Sequence, residues 1–246
     1  MKGLEKLNYL FFVKAFIRSD GRRFDELRPI EMKVGVIKNA DGSAYFRIGN
    51  TEVYAAVYGP KEVPKFLADY DKAIFRAKYN MLPFSVPERK KPGISRREIE
   101  LSLILEYALK PAIFLEDYPG TLIELFVEVT QADSGTRAAA ITAGSLALAD
   151  AGISMRDLVA SVAVGKIKDN IVLDLTKEEE DFEGATDIPI AMMPNEKKIT
   201  LIQLDGNINE NELKEAIKLA KKGIKEIYKK QIRTLKDGFK QKDLEI

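Results

Sequence analysis

The period of the apolar residues changes in a fixed order along this chain, and that order limits what it can fold into. "PIEMKVGVI" (Pro29–Ile37) sets Ile30, Met32, Val34 and Val36 on one side of an extended segment, the pattern of a strand with one buried face. "NADGS" is a turn, and "AYFRIG" follows as the hairpin partner. "TEVYAAVYG" and "KAIFRAKYNML" give a third and fourth strand, separated by a loop that contains Pro60 and Pro64. "PFSVPERKKPGIS" has three prolines and a glycine and reads as a loop.

The period then lengthens. "SRREIELSLILEYALKPAI" is helical and opens on Ser95-x-x-Glu98, a capping box with Ser95 as N-cap. "TLIELFVEVTQ" (Thr121–Gln131) returns to strict alternation, and a helix rich in Ala and Gly is expected from Ala138 to about Ala151. "LVASVAVGKIK" and "IVLDLT" flank Asp169-Asn170, and "DIPIAMMP" and "KITLIQLDG" flank Asn195-Glu196; each is a hairpin signal. A long amphipathic helix from Asn209 to Asp237 carries Leu213, Ile217, Ala220, Ile224 and Ile227 on one face. The predicted order is four strands, helix, strand, helix, four strands, helix. That is an α+β fold with mostly antiparallel sheets and helices packed on them. No linker or repeat divides it, so residues 20–246 are expected to form one domain behind an N-terminal extension, residues 1–19.

Composition narrows the chemistry. The 246 residues contain no Cys and no His, so disulfides, thiolate or imidazole metal sites and Ser-His-Asp relays are excluded. A general acid or base must be Asp, Glu, Lys or Tyr. The net charge of +1 gives no whole-molecule attraction to a polyanion, so any such affinity must be local. The apolar run "NYLFFVKAFI" is interrupted by Lys14 and has no small-residue cleavage site after it, and it is too short to span a bilayer. A cytoplasmic protein is expected, with no membrane association.

Three stretches carry candidate chemistry. In "QADSGTRAAAITAGSLALAD" a strand hands over to a helix, and a helix start presents free N–H groups at the positive end of its dipole. Gly135 allows close backbone approach, Thr136 adds a hydroxyl and Arg137 adds a guanidinium fork, so the junction suits a phosphate. The alternative is an ordinary start capped by Asp133 or Ser134 with a solvated arginine. Against that, a first-turn cation opposes the dipole.

In "ERKKPGISRREIE", Arg96 and Arg97 again occupy a first turn, beside Arg89, Lys90 and Lys91. Such clustering suits a polyanion backbone; the alternative is a solvated basic loop balanced by Glu88, Glu98 and Glu100. In "DLTKEEEDFEGATDIP", Asp181 and Asp187 flank a Gly-containing turn among Glu178, Glu179, Glu180 and Glu183. Carboxylates so crowded can bind Mg²⁺ or hold a proton near neutrality; the alternative is an acidic surface loop. An anion pocket, a polyanion clamp and an acid or metal position together suit phosphoryl transfer on a nucleic acid, whose catalysis rests on positioning and electrostatics.

At these residues the sequence resembles the RNase PH family of phosphorolytic 3′→5′ exoribonucleases, and within it the catalytic type of ring subunit of the archaeal exosome. The resemblance is carried by "DGRRFDELRPI", "KNADGSAY", "AAVYGPKE", "YNMLPFSVPERKKPG", "SRREIELS", "VEVTQADSGTRAAAITAGSLALADAGISMRDLV" and "LDLTKEEEDFEGATDIPIAMMP", in order from Asp20 to Pro194. It implies the RNase PH fold, of the ribosomal protein S5 domain 2 type. It also implies a hexameric ring threaded by single-stranded RNA, with inorganic phosphate as co-substrate and nucleoside diphosphates as product.

The implied roles are phosphate binding by Gly135, Thr136 and Arg137, and RNA binding by Arg96 and Arg97, with Lys65 at the channel neck. Asp181 is implied as general acid or metal-assisted catalyst, and Asp187 as its partner in holding Mg²⁺. The implied partners are an inactive RNase-PH-like paralogue in the ring and RNA-binding cap subunits. Ser134 stands where the family pattern has Gly or Ala, and the segment before Asp20 has no counterpart. A homohexameric enzyme that trims tRNA 3′ ends and a non-catalytic RNA-binding ring subunit are the alternatives; the intact "GTR", the paired arginines and both aspartates favour the active exosome subunit.

Overall fold

A computed structural model describes residues 18–244. The apolar stretch Asn8–Ile17 and most of the expected N-terminal extension lie outside the described residues. Five strands form the first sheet: β1 (Ile30–Val34), β2 (Gly42–Ile48), β3 (Thr51–Glu62), β4 (Ile74–Met81) and, beyond helix α1 (Arg96–Leu109), β5 (Thr121–Gln131). Their spatial order is β1-β2-β3-β5-β4. Helix α2 (Thr136–Asp150) follows. The second sheet holds β6 (Ala160–Ile167), β7 (Asn170–Leu173) and, after the short helix α3 (Lys177–Glu180), β8 (Thr186–Met193) and β9 (Lys198–Ile202), in the order β7-β6-β8-β9. Helix α4 (Glu210–Leu244) ends the described chain.

The expected element order and the α+β class both hold. Among the described strands only β4 and β5 pair in parallel, because α1 crosses between them. Both hairpins form where the turn residues indicated, with Ile167 opposite Asn170 and Met193 opposite Lys198.

Helix α2 is the centre of the molecule. It packs on β2, β3 and β5 of one sheet and on β6 and β8 of the other, and nearly all its residues are buried. Its run of Ala explains this: small side chains let a helix sit between two sheets at close range. The approach is closest at Gly42 of β2, where a Cβ would lie 2.5 Å from the Ala147 carbonyl oxygen of α2. One core cluster runs from Leu27 through both sheets to Leu235 of α4.

Two helix starts lie where the sequence placed them. The Ser95 capping box forms, with Glu98 Oε2 accepting from the Ser95 N–H at 2.6 Å. Asn209 caps α4, its Oδ1 accepting from the Glu212 N–H at 3.0 Å. A third start was not anticipated. "TKEE" is itself a capping box (Thr176 with Glu179), and it turns the expected acidic loop into α3.

Candidate active site

The strand-to-helix junction after β5 is built from unusual backbone. Ser134 and Gly135 both take the left-handed conformation, at φ 59° and 67°, which a buried serine rarely adopts. The turn is held from behind. Thr51 Oγ1 accepts from the Asp133 N–H at 3.0 Å and donates to the Ser134 carbonyl at 2.7 Å, while Arg28 Nη1 donates to the Asp133 carbonyl at 2.5 Å.

Helix α2 begins at Thr136, two residues earlier than expected, and no side chain caps it. The expected alternative, a cap from Asp133 or Ser134, is therefore absent. The Asp133 carboxylate is turned to the Lys177 N–H and to Asn50 Nδ2, each at 3.2 Å. No side chain caps the first-turn N–H groups of α2.

The residues of this first turn line a cleft of about 670 Å³. Its lining includes Gly135, Thr136, Arg137, Arg97, Asp181 and Asp187, so the structure gathers six of the eight site residues expected from sequence. It does not bring in the other two. Arg96 is exposed and lies outside the cleft lining, one helical step round α1 from Arg97, and Lys65 is exposed on the turn after β3. Arg89 and Lys91 are also exposed outside the lining, whereas Lys90 lies in it. The three expected stretches thus converge, but of its cations the basic one contributes only Lys90 from the loop and Arg97 from α1.

The cationic wall is partly restrained. Arg137 donates through Nη1 to Gln203 Oε1, and its buried Nε has no protein partner. Lys90 is paired with Glu98, whose carboxylate also accepts from the Met81 N–H at 3.2 Å and the Ser95 N–H. Burial works to raise Glu98, but those donors outweigh it and hold the carboxyl at about 2.

The acidic wall has two unlike members. Asp181 ends α3, is exposed, and pairs with Lys177 at 2.6 Å. Asp187 lies at the start of β8, where its backbone exchanges two bonds of 2.9 Å with Asp205. Its Oδ1 is buried with no hydrogen-bond partner. Burial pushes its carboxyl up to about 6, with the charges of Glu180 and then Asp205 adding to this and Arg137 and Arg97 opposing it.

The remaining glutamates separate. Glu180 lines the cleft. Glu179 is buried beneath α3, its two oxygens held by Arg18 Nε and Nη2 at 2.8 and 2.7 Å. Arg18, assigned from sequence to the N-terminal extension, is thus fully packed and also donates to the Leu173 and Asp174 carbonyls at 2.7 Å each. Alongside it, Arg28 grips the Asp174 carboxylate through Nε and Nη2 at 3.0 and 2.7 Å.

Sequence reasoning named Glu180 and Lys90 only as members of charged stretches, and it missed Gln203 and the Arg18–Glu179 and Arg28–Asp174 pairs. Sequence offered a signal for α3, the T-x-x-E box, but none for contacts that cross 146 or 161 positions.

Among the described residues no group of three or more carboxylates gathers that could hold a metal alone, so a Mg²⁺ ion here would rest on one or two carboxylates. It completes its shell with water and substrate phosphate, and the orphaned Asp187 Oδ1 is a hard donor lacking a partner.

The family model for the first domain of the RNase PH-type 3′ exoribonucleases matches residues 26–154, and that for the second domain matches residues 157–223. The chain is 57% identical over 223 residues to the exosome complex component Rrp41 of Pyrococcus furiosus, covering 90% of this chain and 89% of that one. It is 54% identical over 224 residues to Rrp41 of Methanopyrus kandleri, covering 91% and 93%. Rice Rrp46 superposes with a TM-score of 0.80 at 25% identity, over 89% of this chain and all of that one. A chain of the Archaeoglobus fulgidus exosome with RNA bound to the active site superposes with a TM-score of 0.76 at 21% identity, over 88% and 93%, a likeness of fold. With both domain models matched in order and more than half of the aligned residues identical to those of the two Rrp41 relatives, the chain belongs to the RNase PH family of 3′ exoribonucleases.

Proposed function

We propose that this chain is the catalytic subunit of an exosome ring, shortening single-stranded RNA from its 3′ end by phosphorolysis. The observation that carries the reading is one cleft with two walls. An uncapped helix start with Gly135, Thr136 and Arg137 shares the cleft lining with Asp181, Asp187 and Arg97.

In the reaction, an oxygen of inorganic phosphate attacks the 3′-terminal phosphodiester, the bond from phosphorus to the upstream O3′ breaks, and a nucleoside diphosphate leaves. The α2 N–H groups, the Thr136 hydroxyl and Arg137 hold the attacking phosphate, using the helix dipole and a guanidinium whose Nε is free to donate. Arg97 holds the RNA backbone, with Arg96 outside on the same turn and Lys65 assigned to the channel neck. Asp181 is the general acid or metal-assisted catalyst for the leaving O3′.

Asp181 and Asp187 would hold Mg²⁺, which when bound would offset charge on the phosphoryl group being transferred. The partners proposed are an inactive RNase-PH-like paralogue in the ring and RNA-binding caps, on the strength of relatives that are exosome components. The compartment proposed is the cytoplasm; no helix among the described residues is long and apolar enough to cross a membrane.

The test is end-labelled RNA incubated with and without phosphate, with the chain alone and with its candidate ring partner. Phosphate-dependent nucleoside diphosphates support the proposal, and Asp181→Ala should abolish them while RNA binding persists. No product under any pairing overturns it. Full activity of the isolated chain as a homohexamer would instead favour a tRNA-trimming enzyme.

A further inference from the structure

Tyr79 lies on β4 at the inward positions shared by Phe75 and Ala77, and is 2% exposed. A tyrosine in such a register needs a partner for its hydroxyl. It has one. The phenol lies 3.0 Å from Thr136 Oγ1, the hydroxyl on the first residue of α2.

Which group donates decides what the contact does. Were Thr136 the donor, the phenolic hydrogen would be left buried without an acceptor, since no other bond to the Tyr79 oxygen exists among the described residues. Burial also pushes the phenol up to about 12, so it stays protonated and able to donate. Tyr79 therefore donates, and Thr136 Oγ1 accepts.

The Thr136 hydrogen is then uncommitted. Deeper in the same helix, Thr142 spends its hydrogen on the carbonyl four residues back, at 3.0 Å from Ala138. Thr136 begins the helix, and no such bond forms. Thr136 is among the residues that line the cleft, next to Arg137.

We infer that Tyr79 is a positioning residue for the attacking phosphate: by filling the acceptor side of Thr136 Oγ1 from within the core, it leaves the threonine hydrogen directed at the cleft, where a phosphate oxygen is its acceptor. Tyr79 touches no substrate and acts through Thr136. The inference rests on the reading of Gly135-Thr136-Arg137 as the phosphate seat.

Tyr79→Phe keeps the buried ring and removes the oxygen alone. In the active assembly, KM for phosphate should rise about three- to tenfold, the range expected for one lost hydrogen bond. KM for RNA and kcat at saturating phosphate should stay within twofold, a split that general loosening would not give. In a Thr136→Val background the same Tyr79 change should have no further effect on KM for phosphate, because the two groups form one unit. Thr136→Ser, which keeps the hydroxyl, should raise KM for phosphate less than Thr136→Val does, and Thr136→Val should match or exceed the Tyr79→Phe defect.

An unchanged KM for phosphate in Tyr79→Phe, or an equal rise in the Thr136→Val background, overturns the inference. If Tyr79→Phe does not fold, the Ser and Val variants decide it: equal phosphate KM for the two overturns it. Loss of phosphate dependence in the parent protein would be a separate result, refuting the phosphorolytic reading itself.

Discussion

Replacing Asp187 by Asn should stabilise this protein at neutral pH while destroying its activity. The magnitude follows from the environment of the side chain. Burial moves its carboxyl from 3.8 to about 6, roughly two pK units, and each unit corresponds to about 1.4 kcal/mol between the two protonation states. The charged form is therefore disfavoured in the folded protein by about 3 kcal/mol. Water in the open cleft weakens this, so a gain of about 1–3 kcal/mol is expected for an uncharged replacement. Asn fits the site. Its carbonyl can take the orphaned Oδ1 position and its amide can face the cleft.

The sign is set by the direction of the shift. The folded-state pKa lies above the unfolded one, so the folded chain binds more protons between about pH 4 and pH 6. The contribution of Asp187 is fully present below about pH 4 and is lost as pH rises through about 6. Glu180, Asp205, Arg137 and Arg97 surround it and do not change between the variants.

Guanidinium denaturation of parent and Asp187→Asn chains from pH 4 to pH 8, in a chelator, reads this directly. The stability difference should be near zero at pH 4 and should rise to a plateau above pH 7 in favour of Asn. Replacing the chelator with Mg²⁺ should narrow the gap by stabilising the parent only. A difference that is flat with pH, or an Asn variant less stable at pH 8, would refute the reasoning.

Three further outcomes follow from the geometry. Arg97→Ala should weaken RNA binding and shallow its salt dependence by about one phosphate contact, while Arg96→Ala, outside the cleft, should leave the slope nearly unchanged in a binding titration across salt. Glu179→Ala leaves the Arg18 guanidinium buried without its carboxylate; it should lower stability by about 3–5 kcal/mol, checked by denaturant midpoint. Gly135→Ala meets nothing closer than Arg28 Nη2 at 3.5 Å, so its effect is conformational. The left-handed backbone should cost about 1–2 kcal/mol, and KM for phosphate should rise as the turn relaxes.

The fold was largely readable because its signals are local. Alternation marks each strand of the first sheet, Asp169-Asn170 and Asn195-Glu196 mark the hairpins, and Ser95-x-x-Glu98 marks the start of α1. The site was readable to the extent that it lies on those signals. Gly135-Thr136-Arg137 stands out because an arginine opposes the dipole of the helix it opens. Arg96 and Arg97 carry the same oddity in sequence, yet consecutive residues on a helix point about 100° apart, so only one can face a given cleft. Tyr79, Gln203 and Arg18 were hidden for a different reason. Each acts by reaching across the chain, Arg137 to Gln203 over 66 positions and Arg18 to Glu179 over 161, and no local pattern encodes such a distance.

The division of charge between the halves explains why that buried network matters to catalysis. Arg97, Thr136 and Arg137 come from the first family domain, and Glu180, Asp181 and Asp187 from the second. Neither half alone makes a cleft with both a phosphate seat and an acid, so function depends on how the halves are held together. Asp181 hangs on α3, four residues long and too short to be stable on its own. What fixes α3 is the Arg18 grip on Glu179 from beneath, the bond from the Lys177 N–H to the Asp133 carboxylate, and Arg28, which joins Asp174 to the Asp133 carbonyl of the phosphate turn. Opening of α3 breaks a local network of this kind, whereas global unfolding requires loss of the core around α2. A weakened network must therefore lower kcat, by letting α3 and Asp181 leave the cleft, at denaturant concentrations well below those that unfold the two sheets.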